Sequence, residues 1–330
     1  MLPVNKGVVM NKKRKMSDEI SILLIFVSII VLMSIITPRF RSVKNLLTVT
    51  RQFSLIAIVA MGQSIVLISG GFDLSVGSIA GLAGITTGHL MVTFGFPIWV
   101  SIILGIIVGT ICGLINGLLI SEVRISPLIA TLATSWIFSG VILVFTKGWP
   151  VTNFPKQFEF LGQGYVLGIP LPIIIMVSIS IILFIFLSQT VFGRQIYAKG
   201  CNQRASRLAG LNTNLITITV FIISGALSAV GGIVLASRMG SAMANAGSTW
   251  ALPSIAAAVI GGVSLAGGKG NIFGVLIGVA LLGVINNILV LLHISSYWQQ
   301  LISGLIVIGA VSIDAVRKYR ESVEKTKIIR

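Results

Sequence analysis

Charged residues are scarce in this chain of 330 residues. They make up 10% of the sequence, whereas hydrophobic residues make up 55% and the mean hydropathy is +1.03. A soluble globule of this composition would not have enough polar surface to cover itself. The scarcity of charge therefore excludes a soluble enzyme or a soluble binding module, and it indicates an integral membrane protein.

Acidic residues are the scarcest of the charges. Eight of them stand against 24 lysines and arginines, which gives a net charge of +16, and only Asp73, Glu122 and Glu159 lie between residues 20 and 313. A lone charge near the bilayer centre costs at least about 2.5–3.5 kcal/mol. The basic residues are therefore expected in tails and loops, as topology signals and lipid headgroup contacts. No basic stripe is interleaved with exposed aromatics, so we predict no nucleic-acid partner.

Cysteine and histidine are also rare. Two of each, far apart, give neither a disulfide framework nor a spaced set of metal ligands. A phosphate loop is missing too. Around Lys269, Val263 stands where GxxxxGK requires its first glycine, and Gly270 stands where Ser or Thr must follow. We therefore predict that the chain is not an enzyme, hydrolyses no ATP and holds no metal or cofactor.

Long apolar runs are what the chain has in abundance. A transmembrane helix needs about 20 largely apolar residues, and this length predicts segments at 20–36, 53–69, 74–92, 98–120, 125–145, 169–188, 215–237, 251–268, 272–292 and 298–313. We therefore predict an all-α, polytopic membrane helix bundle of about ten transmembrane helices. Residues 20–313 form one membrane domain between basic tails at 1–19 and 314–330. Gly-broken segments make 70–92 and 251–268 candidates for re-entrant half-helices.

The distribution of Lys and Arg predicts the orientation. Short loops rich in these residues stay in the cytoplasm, which places both termini and the loop 189–214 on the cytoplasmic side of the membrane. The loop 37–52 is the exception, because it is basic but falls outside. An interfacial helix before the second span is one explanation.

Four glycines in the span 98–120 recur at intervals of four residues: Gly105, Gly109, Gly113 and Gly117. This spacing places them on one helix face and leaves that face without side chains. Another helix can then approach closely, so we predict a packing interface in a compact bundle.

The pattern GGxxLxxG occurs once in each half of the chain, at 70–77 and 261–268. Unwound backbone at membrane depth survives only against protein or a water-filled cavity, and matching breaks in two halves point to a transport path. We therefore predict a pseudo-repeat of two halves, with the translocation path near these breaks. The candidate path residues are Gly70, Gly71, Asp73, Ser75, Gly77, Gly261, Gly262, Ser264 and Gly267.

Asp73 has two interpretations. An acidic residue inside a membrane segment is a functional candidate by default, but the run 73–76 could also begin a helix whose free N–H groups the carboxylate satisfies. We favour capping, and both roles are compatible if the capped end lines the path. The sequence also leaves two roles for Asn116, Asn286 and Asn287, which can join helices or contact a hydroxylated solute.

The loop 189–214 contains the signals of a short helix. Asn202 is a good N-cap and Gly210 a good C-terminal stop, while Arg204 and Arg207 share one face at i, i+3. A loop whose arginines only set the orientation in the membrane would not need helix caps at both ends. We therefore predict a helix that docks in a partner's groove.

Four segments resemble the ribose-type monosaccharide permeases of bacterial ABC importers: GGFDLSVGS at 70–78, IATLAT at 129–134, GRQIYAKGCNQRASRLAG at 193–210 and AAAVIGGVSLAGGKG at 256–270. Their order and spacing fit along nearly the whole chain. The resemblance implies a second permease subunit, identical or different, ABC ATPase subunits that hold the ATP and magnesium, and an extracytoplasmic sugar-binding protein. It implies that ATPase coupling runs through Gly193, Arg194, Tyr197, Gly200, Asn202, Arg204, Arg207 and Gly210.

One departure concerns the solute. Ribose permeases usually have an acidic pair before the second GG motif, where this chain has Ala251-Leu252-Pro253-Ser254. Other sugars, sugar alcohols and autoinducer-like molecules are therefore also candidate solutes. Nucleoside and branched-chain amino acid permeases match 70–78 less well, and an ion-coupled secondary transporter usually shows more intramembrane ionisable residues than Asp73. We predict sugar import by alternating access, powered by a separate ATPase subunit.

Overall fold

Helices dominate the structure. The computed structural model describes residues 18–295, 297–309 and 311–312. Apolar segments become helices because lipid offers the backbone no hydrogen-bond partners, and a helix satisfies its polar groups internally. The helices are α1 (Asp18–Ile36), α2 (Val43–Ile68), α3 (Val76–Val92), α4 (Ile98–Ser121), α5 (Pro127–Thr146), α6 (Lys156–Gln163), α7 (Leu171–Gln189), α8 (Val191–Cys201), α9 (Gln203–Leu208), α10 (Thr213–Met239), α11 (Ala251–Ile260) and α12 (Ile272–Leu291).

Two short additions complete the described fold. Residues 297–309 and 311–312 are helical. β1 (Tyr165–Val166) and β2 (Ile169–Pro170) form a small antiparallel hairpin. Its turn residues, Leu167 and Gly168, both have positive φ, 52° and 79°, which matches the twist of the paired strands.

Six helices in the described part of the chain are long and apolar enough to cross a membrane: α2, α4, α5, α7, α10 and α12. This confirms a helical, multi-pass membrane protein. The predicted ten spans are not all found by this criterion. The apolar part of α1, the helix α3 and the helix α11 are each too short to be counted. α3 has 17 residues, or about 25 Å, against a hydrocarbon thickness of about 30 Å.

Two sequence-based expectations need correction. The segment 251–268 is not one helix, because α11 ends at Ile260 where Gly261 and Gly262 follow. The loop 37–52 contains no separate interfacial helix, because α2 is continuous from Val43 and includes Lys44 and Arg51, two of the basic residues in question. Apart from residues 18 and 19, the predicted tails 1–19 and 314–330 lie outside the described residues.

The contacts among the helices define two ends of the bundle. We call the end with α8 and α9 the α8 end, and the opposite one, with α6 and the hairpin, the α6 end. At the α6 end, Asn45 near the start of α2 exchanges two amide hydrogen bonds with Asn287 near the end of α12, at 3.0 and 3.1 Å. Asn287 therefore joins two helices.

The glycine face of α4 lies against α10 and α3. A methyl group on Gly113 would overlap the carbonyl oxygen of Phe221 on α10. Methyl groups on Gly109 and Gly117 would come within 2.5 and 2.7 Å of α10 atoms, and Gly105 packs on α3 and α10. No larger residue fits there, so these three helices form the close-packed centre of the bundle.

Candidate functional site

The first helix break follows α2. Gly70 has a φ of +85°, a left-handed conformation that glycine adopts without steric cost. The N–H of Gly71 donates to the carbonyl of Val66 at 2.9 Å. This Schellman cap ends α2, and the chain then turns back into the bundle before α3 begins at Val76.

The second break follows α11 and has the same cap. Gly262 has a φ of +89°, and the N–H of Val263 donates to the carbonyl of Ala258 at 2.9 Å. The left-handed glycine is the second of its pair here and the first in the other break, so the caps are one residue out of register with the sequence match. The same cap also closes α9 at Gly210. The pattern is therefore a general way to end a helix.

The two breaks meet at the α8 end. The N–H of Gly268 in the second break donates to the carbonyl of Ile68, the last residue of α2, at 2.8 Å. A Cβ on Gly267 would lie 3.0 Å from the Cα of Gly70. Backbones about 200 residues apart in sequence are thus in direct contact.

α8 completes this contact. A Cβ on Gly200 would overlap the carbonyl oxygen of Ile68 and would lie 2.5 Å from the amide nitrogen of Gly268. Only a glycine allows the three backbones to approach so closely. We call this arrangement the three-segment junction, comprising residues 68–71, 197–201 and 267–270. It joins predicted coupling residues to predicted path residues.

Two side chains of α8 fasten the three-segment junction. The Lys199 ammonium donates to the carbonyl of Ser69 at 3.1 Å, and the Tyr197 hydroxyl donates to the carbonyl of Gly270 at 2.8 Å. Burial lowers the pKa of Lys199 to about 8, and it raises the pKa of Tyr197. α8 is therefore bonded to both breaks, one through each side chain.

α8 is also fixed to α7. Thr190 caps it by accepting a hydrogen bond from the N–H of Gly193 at 3.0 Å. A Cβ on Gly193 would overlap the carbonyl oxygen of Leu187. Arg194 lines a cavity of about 540 Å³ between α7, α8 and the start of α12. A displacement of α8 must therefore move α7 as well or change the shape of this cavity.

α9 occupies the place expected for the short capped helix. The Asn202 side chain accepts a hydrogen bond from the N–H of Ala205 at 2.9 Å. Arg207 donates to the Thr213 hydroxyl at 3.2 and 3.3 Å, which ties α9 to the start of α10. Arg204, Arg207 and Leu208 are all exposed, and Leu208 is 85% accessible. The two arginines thus differ in role although they share a helix face.

Asp73 is the centre of a buried hydrogen-bond network. One carboxylate oxygen accepts from the N–H and the hydroxyl of Ser75, at 2.9 and 2.6 Å, and the other accepts from the hydroxyl of Ser224 on α10, at 2.8 Å. The Asn116 amide of α4 donates to the Ser75 hydroxyl at 2.8 Å, and the Thr134 hydroxyl of α5 donates to Asn116 at 2.7 Å. The donors all point toward the carboxylate, so it orients the whole chain of bonds.

This geometry differs from the cap expected at Asp73. α3 begins at Val76, and the carboxylate accepts the N–H of Ser75, the residue before the helix, in an Asx-type turn. The Asp73 side chain is fully buried. It therefore holds the break in place from inside the protein, and Asn116 belongs to the same network.

Two other predicted path residues also lie against protein. A Cβ on Gly77 would overlap the carbonyl oxygen of Gly247, and one on Gly261 would overlap that of Gly274 on α12. The Ser264 hydroxyl accepts a hydrogen bond from a neighbouring N–H at 3.2 Å. Gly77 and Gly261 therefore permit close backbone contact.

Sequence reasoning missed two features. As a basic residue in a loop, Lys199 is expected only as a topology signal, whereas in the structure it is buried and must have a hydrogen-bond partner. The non-helical segment 240–250 falls between the predicted spans 215–237 and 251–268. This segment is too polar to continue α10, because it contains glycines, Ser241, Asn245, Ser248 and Thr249. Its polarity is the sequence signal for a non-helical segment.

The chain matches the family described as branched-chain amino acid transport system / permease component over residues 45–311. The chain belongs to this family. Its members are transport-system permeases, which agrees with a non-catalytic membrane subunit. No three His, Cys, Asp or Glu side chains in the described part lie close enough to share a metal ion.

Several curated relatives cover almost the full length of the chain. The ribose import permease protein RbsC of Bacillus subtilis is 41% identical over 87% of this chain and 89% of its own length. The L-arabinose transport system permease protein AraH of Escherichia coli is 36% identical, over 94% and 93%. The D-allose transport system permease protein AlsC of Escherichia coli is 35% identical, over 90% and 91%. No solved structure shows significant similarity to the chain.

Proposed function

We propose that the chain is the membrane permease subunit of an ATP-driven importer for a monosaccharide or a related polyol. The observation that carries this proposal is the three-segment junction, because one helix outside the long spans contacts the backbone of both helix breaks. The names of the relatives support a sugar, since they specify ribose, L-arabinose and D-allose.

The proposed orientation places the α8 end in the cytoplasm of a bacterium, with both termini, and the α6 end outside. The basic residues of α8 and α9 support it. The non-helical segment 240–250 and α11 then cross the membrane together as one discontinuous span. The six long helices, this span, α1, α3 and the helical residues 297–309 would then cross the membrane ten times in all.

In the proposed mechanism, partner ATPases bind ATP and magnesium and receive α9 in a groove. Arg204 and Leu208 are the groups exposed for this contact. Closure of the ATPases would displace α9 and, through Asn202, α8. Because α8 is bonded to both breaks, its displacement would act on both at once and favour the inward-open form of the path.

The importer would contain two permease subunits around one path and an extracytoplasmic sugar-binding protein that delivers the solute. Capture would then lie with the binding protein, so the path need hold sugar only weakly. A branched-chain amino acid importer is the second candidate, because the description of the family names that solute.

Uptake into proteoliposomes tests the function. We expect labelled D-ribose, L-arabinose or D-allose to accumulate only when the permease, its ATPase, its binding protein and internal ATP are all present. Uptake of labelled leucine in place of every sugar would support the second candidate. Uptake by the permease alone under a proton or sodium gradient would contradict an ATP-driven importer.

The double variant Arg204→Glu, Leu208→Glu tests the docking surface. We expect the ATPase to bind at least about tenfold more weakly, because an exposed cation and an exposed apolar anchor are both replaced by carboxylates. Binding is measured by co-purification in detergent, and uptake in proteoliposomes. Lys156→Glu, an exposed charge reversal at the α6 end, is the matched control and should bind the ATPase normally. Normal binding by the double variant would show that the ATPase docks elsewhere.

A further inference from the structure

The segment 240–250 crosses part of the bundle without forming a helix. It is a series of tight turns, in which the N–H of Ala246 donates to the carbonyl of Met243 at 3.0 Å and that of Trp250 to Gly247 at 2.9 Å. One side lies on α3, where a Cβ on Gly81 would be 3.0 Å from the carbonyl oxygen of Ala246. Glycines on α3 therefore make room for this backbone.

The contacts of its two ends place the segment at membrane depth. At the α6 end, Ala242 pairs with Val151 in an isolated bridge. At the other end, the Trp250 ring packs beside Gly231 of α10, at a site also bordered by Val59 of α2. Val59 is nine residues from the end of α2, or about 14 Å along the helix. The segment thus runs from the α6 end to the middle of the bundle.

The segment also presents an exposed polar face, formed by three of its side chains. Asn245, Ser248 and Thr249 are exposed there, and among the described residues their side chains have no hydrogen-bond partner. Neither turns nor unpaired polar groups are tolerated against hydrocarbon, because lipid cannot hydrogen-bond to them. This face must therefore border water or another protein surface.

We propose that Asn245, Ser248 and Thr249 line the solute path and hydrogen-bond to the hydroxyl groups of a passing sugar or polyol. This inference rests on the proposed function and names its solute contacts. Amide and hydroxyl groups each donate and accept, as sugar hydroxyls do, and residues 240–250 contain no charged side chain. Such a wall suits a neutral polyhydroxylated solute, and it holds that solute weakly enough to release it.

Cysteine labelling tests whether the face borders a passage. In right-side-out vesicles holding the assembled importer, Asn245→Cys and Ser248→Cys should react with an impermeant, charged methanethiosulfonate reagent. We expect labelling at least about tenfold faster than at Ile111→Cys, which replaces an exposed side chain on the apolar span α4. The unsubstituted chain gives the background, since Cys112 is buried and Cys201 lies at the α8 end.

Uptake measurements test the contact with solute. Ser248→Trp should obstruct the path and lower uptake of the transported sugar about 100-fold, with ATPase binding unchanged. Asn245→Ala should lower uptake about three- to tenfold, as expected for loss of a hydrogen bond or two. Thr110→Ala, which removes a hydroxyl bonded only within α4, is the control and should transport normally.

Three results would overturn the inference. They are absence of labelling at both cysteines, normal uptake by Ser248→Trp, or a spontaneous disulfide between two Ser248→Cys subunits, which would make the face an interface between copies. The labelling does not depend on which solute moves. If the unsubstituted importer carries no sugar, the proposed function fails, and labelling still decides whether this face borders a passage.

Discussion

Gly200→Ala should reduce sugar uptake at least about tenfold while the protein still inserts into the membrane. The added methyl group would overlap the carbonyl oxygen of Ile68 and approach the amide of Gly268. Both neighbours are backbone atoms, so neither can rotate away, and overpacking of this kind typically costs about 1–3 kcal/mol. α8 must then separate from one break or both, and ATPase closure would no longer reach them. Uptake by reconstituted importer and the ATPase rate measured in parallel give the readout.

The separate readouts identify the cause. We expect ATP hydrolysis to continue without uptake, because α9 and its exposed residues are unchanged. Gly140→Ala on α5 is the matched control, since it is also a glycine in a helix but no atom would lie within 4 Å of its Cβ. Alanine favours a helix over glycine by about 0.5–1 kcal/mol, so the control should be at least as stable as the original chain. Full, coupled uptake by Gly200→Ala would show that close approach of the three backbones is unnecessary.

Asp73→Ala should destabilise the bundle strongly, and Asp73→Asn much less. The alanine variant leaves the hydroxyls of Ser75 and Ser224 without their acceptor, in a site that is fully buried. Each buried polar group left unsatisfied costs about 1–3 kcal/mol, so we expect a loss of roughly 3 kcal/mol or more. Thermal unfolding in detergent, followed by tryptophan fluorescence, measures the difference.

Asparagine tests whether the negative charge itself matters. It keeps one oxygen for Ser75 and offers an N–H₂ group to Ser224, whose hydroxyl can turn and accept. We expect Asp73→Asn to fold and to retain most uptake. Equal midpoints for Asp73→Ala and the original chain would contradict a structural role. A stable Asp73→Asn protein without transport would show that the charge participates in transport.

Local patterns predicted much of the helical structure. Apolar length located the helices, and the caps at Asn202 and Gly210 located α9, because these signals depend on a few neighbouring residues. The spacing of Gly105, Gly109, Gly113 and Gly117 predicted a close-packed face. These properties of a segment can be read before its partners are known.

Contacts between distant segments could not be predicted in the same way. Nothing near Lys199 in the sequence indicates that its partner is the carbonyl of Ser69, 130 residues away. The network of Asp73 was missed for the same reason, because its donors come from α4, α5 and α10. The register of the two GG breaks was also undetermined, since either glycine of a pair can take the left-handed conformation.

The three-segment junction also constrains how the protein is made. Its parts are residues 68–71, 197–201 and 267–270, so a ribosome must complete most of the chain before the last part is available. Until then, the carbonyl group of Ile68 lacks its final partner, the N–H of Gly268, and in hydrocarbon such a group is costly. At the edge of the bilayer, water can hydrogen-bond to this carbonyl group during synthesis. Because the junction lies at the α8 end and not deep in the bundle, the early helices can remain stable in the membrane until residues 267–270 are made and complete the junction.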